Sequence, residues 1–204
     1  MTSFNVILFD GFEPLDVFGS VGVIGKLPKQ YTIEYYSMRG GIITGGQNVK
    51  IDTLPLSDIQ NNGVLLIPGG MGTRKLVDDE AFIQQIKNLT EKAEYVLSVC
   101  TGAALLAKTG LIDGRNATTN KMAWSFATAH GKNIVWDKSA RWVKDGKYYT
   151  SAGVSAGIDM TFGFIADVCG IDTARSITKY VEYAWDENDK DNNFAYLTEE
   201  KWKS

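Results

Sequence analysis

Short runs of apolar residues alternate along this chain with longer segments whose apolar positions recur every three or four residues. Residues 4–9 form a short, mostly apolar run closed by Asp10-Gly11, the signature of a buried strand followed by a turn. In residues 14–27, Leu15, Phe18, Val21 and Ile24 fall on one helical face behind Pro14, which suits a first helical turn. A second strand is expected over 31–37, and β-like segments flank Gly45-Gly46 within 40–51, the punctuation of a hairpin. Residues 63–70 read as another buried strand halted by Pro68-Gly69-Gly70, with a helix over 79–92. Tyr95–Val99 is again a strand, running directly into Cys100 and then a helix rich in small residues and leucine.

The second half continues with 116–119, a helix over 121–129, and a short strand over 134–136. Two strands turn at Asp145-Gly146 within 140–153, and helices are expected over 155–168 and 172–184. The tail from Asp186 is polar and is expected to lie over the surface. Apolar strands interleaved with amphipathic helices predict an α/β sandwich of flavodoxin-like type, a mostly parallel central sheet covered on both faces. Without repeats or linkers, residues 1–204 are expected to form a single domain.

Composition narrows the function classes. Hydrophobic residues make up 44% and charged residues 22% of the 204, ordinary for a globular protein. A net charge of −3 gives no electrostatic reason to expect nucleic acid, and no apolar run is long enough to span a membrane. The N-terminus enters a strand without a basic segment or cleavage site, so a cytoplasmic location is expected. Two cysteines, Cys100 and Cys169, are too few for a disulfide framework or a zinc site, and the sequence calls for no metal or cofactor.

In an open parallel sheet, ligands gather at the carboxyl ends of the strands. Asp16, the Pro68–Gly72 turn and Cys100 should all fall on that edge. A thiol on a tight strand-to-helix turn is pushed above the sheet, and the helix N-terminus favours thiolate there. Cys169, before Gly170 at the end of an apolar helix, reads as core. The single histidine, His130, precedes Gly131 and reads as a helix C-terminal residue stabilised by the dipole, which weakens any cysteine–histidine pairing.

Four segments in order, "DGFEPLDVFG", "LLIPGGMGT", "LSVCTGAALLAKTGLIDGRNATT" and "TSAGVSAGIDM", resemble the ThiJ/PfpI superfamily, also called class I glutamine amidotransferase-like, over about residues 4–184. The "VCTGA" elbow with Leu15-Asp16 is most similar to its isonitrile hydratase branch. That resemblance implies Cys100 as nucleophile and Asp16 as its acidic partner, with Glu13 the rival carboxylate. A carboxyl bonded to a thiolate must be protonated, so a raised Asp16 pKa is expected. Backbone N–H groups in the Gly70–Gly72 turn, with that of Thr101, are expected to face negative charge developing on a substrate. Thr101 stands where protease-like and amidotransferase-like members have histidine. Asn120-Lys121 departs from the histidine-tryptophan pair common in the branch.

The implied reaction is covalent addition of Cys100 to an isonitrile and hydration to an N-substituted formamide. The alternatives are a non-catalytic redox sensor or small-molecule binding module, and, with less support, protease, amidase or glyoxalase-type activity. The same domain occurs in AraC-like regulators; with no helix-turn-helix extension after residue 204, that architecture is not expected here. The resemblance further suggests a homodimer, for which Trp185 and Phe194 are candidate anchors.

Overall fold

The computed structural model describes residues 1–60 and 63–197. Strands β1 (Thr2–Ile7), β2 (Tyr31–Ser37), β3 (Gly41–Thr44), β4 (Lys50–Pro55), β5 (Val64–Ile67), β6 (Tyr95–Val99), β7 (Asn116–Ala117), β8 (Val135–Trp136), β9 (Trp142–Asp145) and β10 (Tyr148–Ser151) are joined, among the described residues, by seven α-helices. The helices are α1 (Pro14–Ile24), α2 (Thr73–Leu76), α3 (Glu80–Lys92), α4 (Gly102–Lys108), α5 (Trp124–Thr128), α6 (Ala156–Cys169) and α7 (Ile171–Val181).

Eight strands form one sheet in the order β3-β4-β2-β1-β5-β6-β10-β9. Its inner ladders are all parallel, and only the β3–β4 and β9–β10 pairs at the two edges are antiparallel. The central strands β1, β5 and β6 bury nearly every residue, as mostly apolar runs require when helices cover both faces. Helices α1, α6 and α7 pack together, while α2, α3 and α5 pack around α4. This is the flavodoxin-like α/β architecture that the alternation predicts. None of the described helices is long and apolar enough to cross a membrane.

Local chemistry explains the element ends. Glu13 caps α1, its carboxylate accepting the Leu15 N–H at 3.3 Å, and Pro14 begins the helix. Asp79 caps α3 through the Phe82 N–H at 3.0 Å. The helix expected over 121–129 divides into a 3-10 turn, Lys121–Ala123, and α5. Asn120 caps the first turn, its Oδ1 accepting from Met122 N at 2.8 Å and Ala123 N at 3.1 Å, and the break falls at Ala123, whose backbone (φ −118°, ψ 28°) leaves the helical region. The short helix α2 was not expected; the glycine-rich stretch before it masks its start.

The polar tail is knitted to the sheet edge. The Arg141 N–H donates to Asp189 O at 2.8 Å, and the Asn192 N–H donates to Ser139 O at 2.9 Å. Trp185 packs against Phe162 and donates its indole N–H to Asp159 O at 3.2 Å. It therefore serves the interior of this chain, while Phe194 remains half exposed. Residues 198–204 of the tail lie outside those described.

Candidate functional site

β6 ends at Val99 and α4 begins at Gly102, leaving two residues to reverse the chain above the sheet. Cys100 makes the turn in left-handed backbone, φ 55°. For a non-glycine residue this costs on the order of 1–3 kcal/mol, held in place by the strand and helix on either side. The Thr119 hydroxyl supports it from the neighbouring loop, donating to Cys100 O at 2.9 Å. The side chain is almost enclosed, with Cys100 only 8% exposed.

The acidic partner comes from α1. Asp16 is 1% exposed, in contrast to an ordinary first-turn carboxylate, which would reach solvent. Its Oδ2 accepts the Gly69 N–H at 2.8 Å, while buried Oδ1 has no hydrogen-bond partner. Burial pushes the Asp16 pKa up to about 8, against the opposing effect of the Gly69 N–H, and the Glu13 charge adds to the rise. The carboxyl is therefore mainly neutral at pH 7. Because Oδ2 is an acceptor, the proton resides on Oδ1. Glu13, the rival acid, is engaged as a helix cap instead.

Gly69 was missed by sequence reasoning, although it joins the site together. A Cβ there would lie 2.6 Å from Thr101 N, 2.7 Å from Thr101 Oγ1 and 2.9 Å from Asp16 Oδ2. Only glycine permits the β5 turn, α1 and the elbow to approach so closely. The loop is locked from outside by the Glu13 N–H, which donates to Gly69 O at 2.9 Å.

The N–H donors expected for an anionic substrate atom are engaged within the protein. Gly70 donates to Thr101 Oγ1 at 3.1 Å, and Gly72 donates to Gly11 O at 3.1 Å. The Thr101 N–H acts on the Cys100 sulfur. The Thr101 hydroxyl also meets the sulfur, and its oxygen accepts from Thr73 Oγ1 at 3.1 Å. Thr73 is another residue that no sequence pattern singled out.

The third group at the sulfur is Asn120. Its Oδ1 is committed to the Met122 and Ala123 N–H groups, which leaves its amide nitrogen to donate to Cys100. The sequence marks this position only as a departure from a related branch.

The expectation of a thiolate favoured by the helix N-terminus is overturned. Burial raises the Cys100 thiol well above its ordinary pKa, and an ionised Asp16 would raise it further. The Thr101 N–H, Asn120 and the Thr101 hydroxyl only partly offset this, and α4 is a helix of just seven residues. The resting pair is a neutral thiol beside a neutral acid. At His130 burial and the Lys108 charge lower the pKa, against the dipole stabilisation expected at a helix end.

A cavity of about 250 Å³ is bounded by Leu15, Asn120, Lys121, Arg141, Phe194 and the residues leading into α6, with neither Cys100 nor Asp16 in its wall. A larger cavity of about 590 Å³ lies against the Gly72 side of the glycine turn and is lined by neither Cys100 nor Asp16. Among the described residues no group of three or more histidine, cysteine or acidic side chains is placed to hold a metal ion.

Known proteins match the sequence and the fold. The DJ-1/PfpI family model matches residues 3–167. An isonitrile hydratase of Pseudomonas putida is 32% identical over 179 residues, covering 87% of this chain and 77% of that protein. A crystal structure of a ThiJ/PfpI family protein from Pseudomonas syringae superposes with a TM-score of 0.82 at 25% identity, covering 91% of this chain and 76% of that one. The HTH-type transcriptional regulator GlxA of Rhizobium meliloti is 26% identical over 161 residues, 76% of this chain but 48% of the regulator.

Proposed function

The chain belongs to the DJ-1/PfpI family, and we propose that it is a cysteine-dependent enzyme that adds water to small isonitriles, yielding N-substituted formamides. The observation that carries this reading is the Asp16 carboxyl: neutral, buried, and presenting an unpartnered Oδ1 in the electrostatic reach of Cys100. The likeness to the hydratase of Pseudomonas putida supports the same substrate class.

An isonitrile suits a neutral thiol and acid better than a thiolate would. Its terminal carbon accepts a proton before it accepts a nucleophile, so Asp16 Oδ1 delivers its proton there as the Cys100 sulfur forms the C–S bond. The thiol proton passes to the Asp16 carboxylate, leaving a thioimidate, R–N=CH–S–Cys100, and a carboxyl restored to its starting state. Asp16 then protonates the imidate nitrogen while taking a proton from the attacking water. Collapse of R–NH–CH(OH)–S–Cys100 breaks the C–S bond; the hydroxyl proton returns through Asp16 to sulfur and the formamide leaves. Neither step leaves charge on an oxygen that needs Gly70 or Gly72.

The buried, hard-to-ionise sulfur argues against the redox-sensor alternative, because peroxide reacts with thiolate. The test is formamide production from a simple alkyl isonitrile by the native chain and by Cys100→Ala. Turnover by the first and none by the second is expected; no turnover by either sinks the proposal.

A further inference from the structure

Resting for its catalytic consequence on the hydration reading, we propose that Thr73 is a positioning residue, which turns the single proton of the Thr101 hydroxyl toward the Cys100 sulfur. Three donors converge on that sulfur: the Thr101 N–H, the Asn120 amide and the Thr101 hydroxyl. The first is fixed by the backbone, and the second by the bonds that Asn120 Oδ1 makes to Met122 N and Ala123 N. A hydroxyl rotates, so its direction has to be set by what surrounds it.

A hydroxyl has one proton to give and two lone pairs with which to accept. Thr101 Oγ1 accepts the Gly70 N–H at 3.1 Å and the Thr73 hydroxyl at 3.1 Å, which fills the accepting side. Among the described residues the acceptor that competes with the sulfur for its proton is Gly70 O, at 3.4 Å. That carbonyl is already taken by Thr73, which donates to it from its N–H at 3.2 Å and from Oγ1 at 2.8 Å. The Thr73 hydroxyl proton is thus shared between Gly70 O and Thr101 Oγ1, and both directions have one result. Pointed at Gly70 O, it closes the competing acceptor. Pointed at Thr101 Oγ1, it fills the remaining lone pair. Either way the Thr101 proton is left for Cys100.

Burial makes the arrangement firm. Thr73 is fully buried and Thr101 nearly so, which shields these oxygens from bulk water. A Cβ on Gly69 would lie 2.7 Å from Thr101 Oγ1, so the oxygen sits in space that the glycine leaves open. Thr73 opens α2 directly after the glycine turn, which aims both its N–H and its hydroxyl back at Gly70 O. The bond from Thr101 to sulfur is weak while the thiol is neutral and strengthens as charge gathers there. Charge gathers when R–NH–CH(OH)–S–Cys100 collapses, because the electron pair of the breaking C–S bond moves onto sulfur as the proton returns through Asp16. A contact that strengthens on the way to the transition state raises kcat and leaves KM alone.

The experiment is a double-mutant cycle read by alkylation of Cys100 with iodoacetamide at pH 9, which follows the thiolate fraction and needs no isonitrile. Thr101→Val should slow alkylation by at least about tenfold, the loss of one hydrogen bond to a charged group. Thr73→Val should slow it by at least about threefold in the native background, and by less than about 1.5-fold when added to Thr101→Val. Thr73→Ser, which keeps the hydroxyl, should restore the native rate to within about twofold. Thr73→Ala takes the place of the valine variant if that one does not fold. Native alkylation in Thr73→Val, or a serine variant as slow as valine, overturns the proposal. Equal slowing in both backgrounds also overturns it, because Thr73 would then act by packing and not through Thr101. With a simple alkyl isonitrile, Thr73→Val should lower kcat by at least about threefold and keep KM within about twofold. Slower alkylation with a native kcat overturns the catalytic consequence. No turnover by the native chain removes the hydratase reading, and the alkylation cycle still decides what Thr73 does.

Discussion

Asp16 reaches Gly69 with one carboxyl oxygen only: Oδ2 accepts the Gly69 N–H at 2.8 Å, and Oδ1 is left buried without a partner. A carboxylate in that position would have a desolvated oxygen with nothing to stabilise its charge, which is why the proton is retained up to about pH 8. The same asymmetry fixes which oxygen is the acid.

The rate should follow that proton. With neutral Asp16 as the active form, kcat/KM is expected to be flat from about pH 6 to near the Asp16 pKa of about 8. Above it, the value should fall by about tenfold per pH unit. A profile that rises through pH 8–9 would instead mean that thiolate formation, not the acid, limits the reaction.

Stability should move with the same group. A folded-state pKa of about 8 against an ordinary value of 3.8 means that the folded chain binds the proton more tightly than the unfolded chain. Asp16 therefore stabilises the fold least where the unfolded group has lost its proton: its contribution falls as pH rises from about 3.8 to about 8 and then levels. Asp16→Asn removes this loss, so the variant should exceed the native chain in stability at pH 8 by more than about 1 kcal/mol. Denaturant melts at pH 5 and pH 8 measure it, and an equal difference at both values refutes the linkage.

Gly69→Ala tests the close approach of three elements. Its Cβ would fall 2.6 Å from Thr101 N and 2.9 Å from Asp16 Oδ2, and backbone atoms cannot swing aside as a flexible side chain can. A loss of about 1–3 kcal/mol in stability is expected. Activity should fall by at least about a hundredfold, since a displacement near 1 Å misaligns the acid and the sulfur. Near-native kcat/KM in a folded Gly69→Ala protein would detach the Asp16–Gly69 contact from catalysis.

Asn120→Ala removes two things at once, and Asn120→Ser separates them. Serine can still cap the 3-10 turn that begins at Lys121, whereas only the amide reaches the sulfur. Alanine should cost about 1 kcal/mol of stability and serine much less. Both should raise the Cys100 pKa further, since the Asn120 donor opposes the effect of burial. If serine restores thiol titration as well as stability, Asn120 is a cap and nothing more.

What the sequence disclosed depended on whether the cause was local. Tyr95–Val99 running into Cys100 and then Gly102 is a pattern of polarity and size, so the elbow and its strand were legible. Asp16 was legible through its place after β1. Gly69 was not, because its contribution is the space its missing Cβ leaves for Thr101 and Asp16, residues far away in the chain. Thr73 and Asn120 escaped for the related reason that each acts through a loop brought in by the fold. The error over the thiol pKa came from weighing the helix N-terminus without the burial, and burial is a property of the assembled site.

The last prediction sets Asp16 and Cys100 against each other. In the native chain above about pH 8, Asp16 is ionised, and its charge opposes loss of the Cys100 proton. Asparagine has the size and hydrogen-bonding capacity to take the Gly69 N–H, but it carries no charge at any pH and cannot serve as a general acid. Two readouts of one variant should therefore diverge. Isonitrile hydration by Asp16→Asn should fall by more than about a hundredfold at pH 7, because protonation of the isonitrile carbon is lost. Alkylation of Cys100 by iodoacetamide at pH 9, followed by mass spectrometry to separate it from Cys169, should become several times faster than in the native chain, because the repulsion is gone. A general loosening of the site would instead reduce hydration and also raise alkylation at pH 6, where Asp16 is neutral in the native chain and the two proteins should react alike. Slower alkylation at pH 9 would show that Asp16 assists the thiolate, and the neutral resting pair would then be wrong.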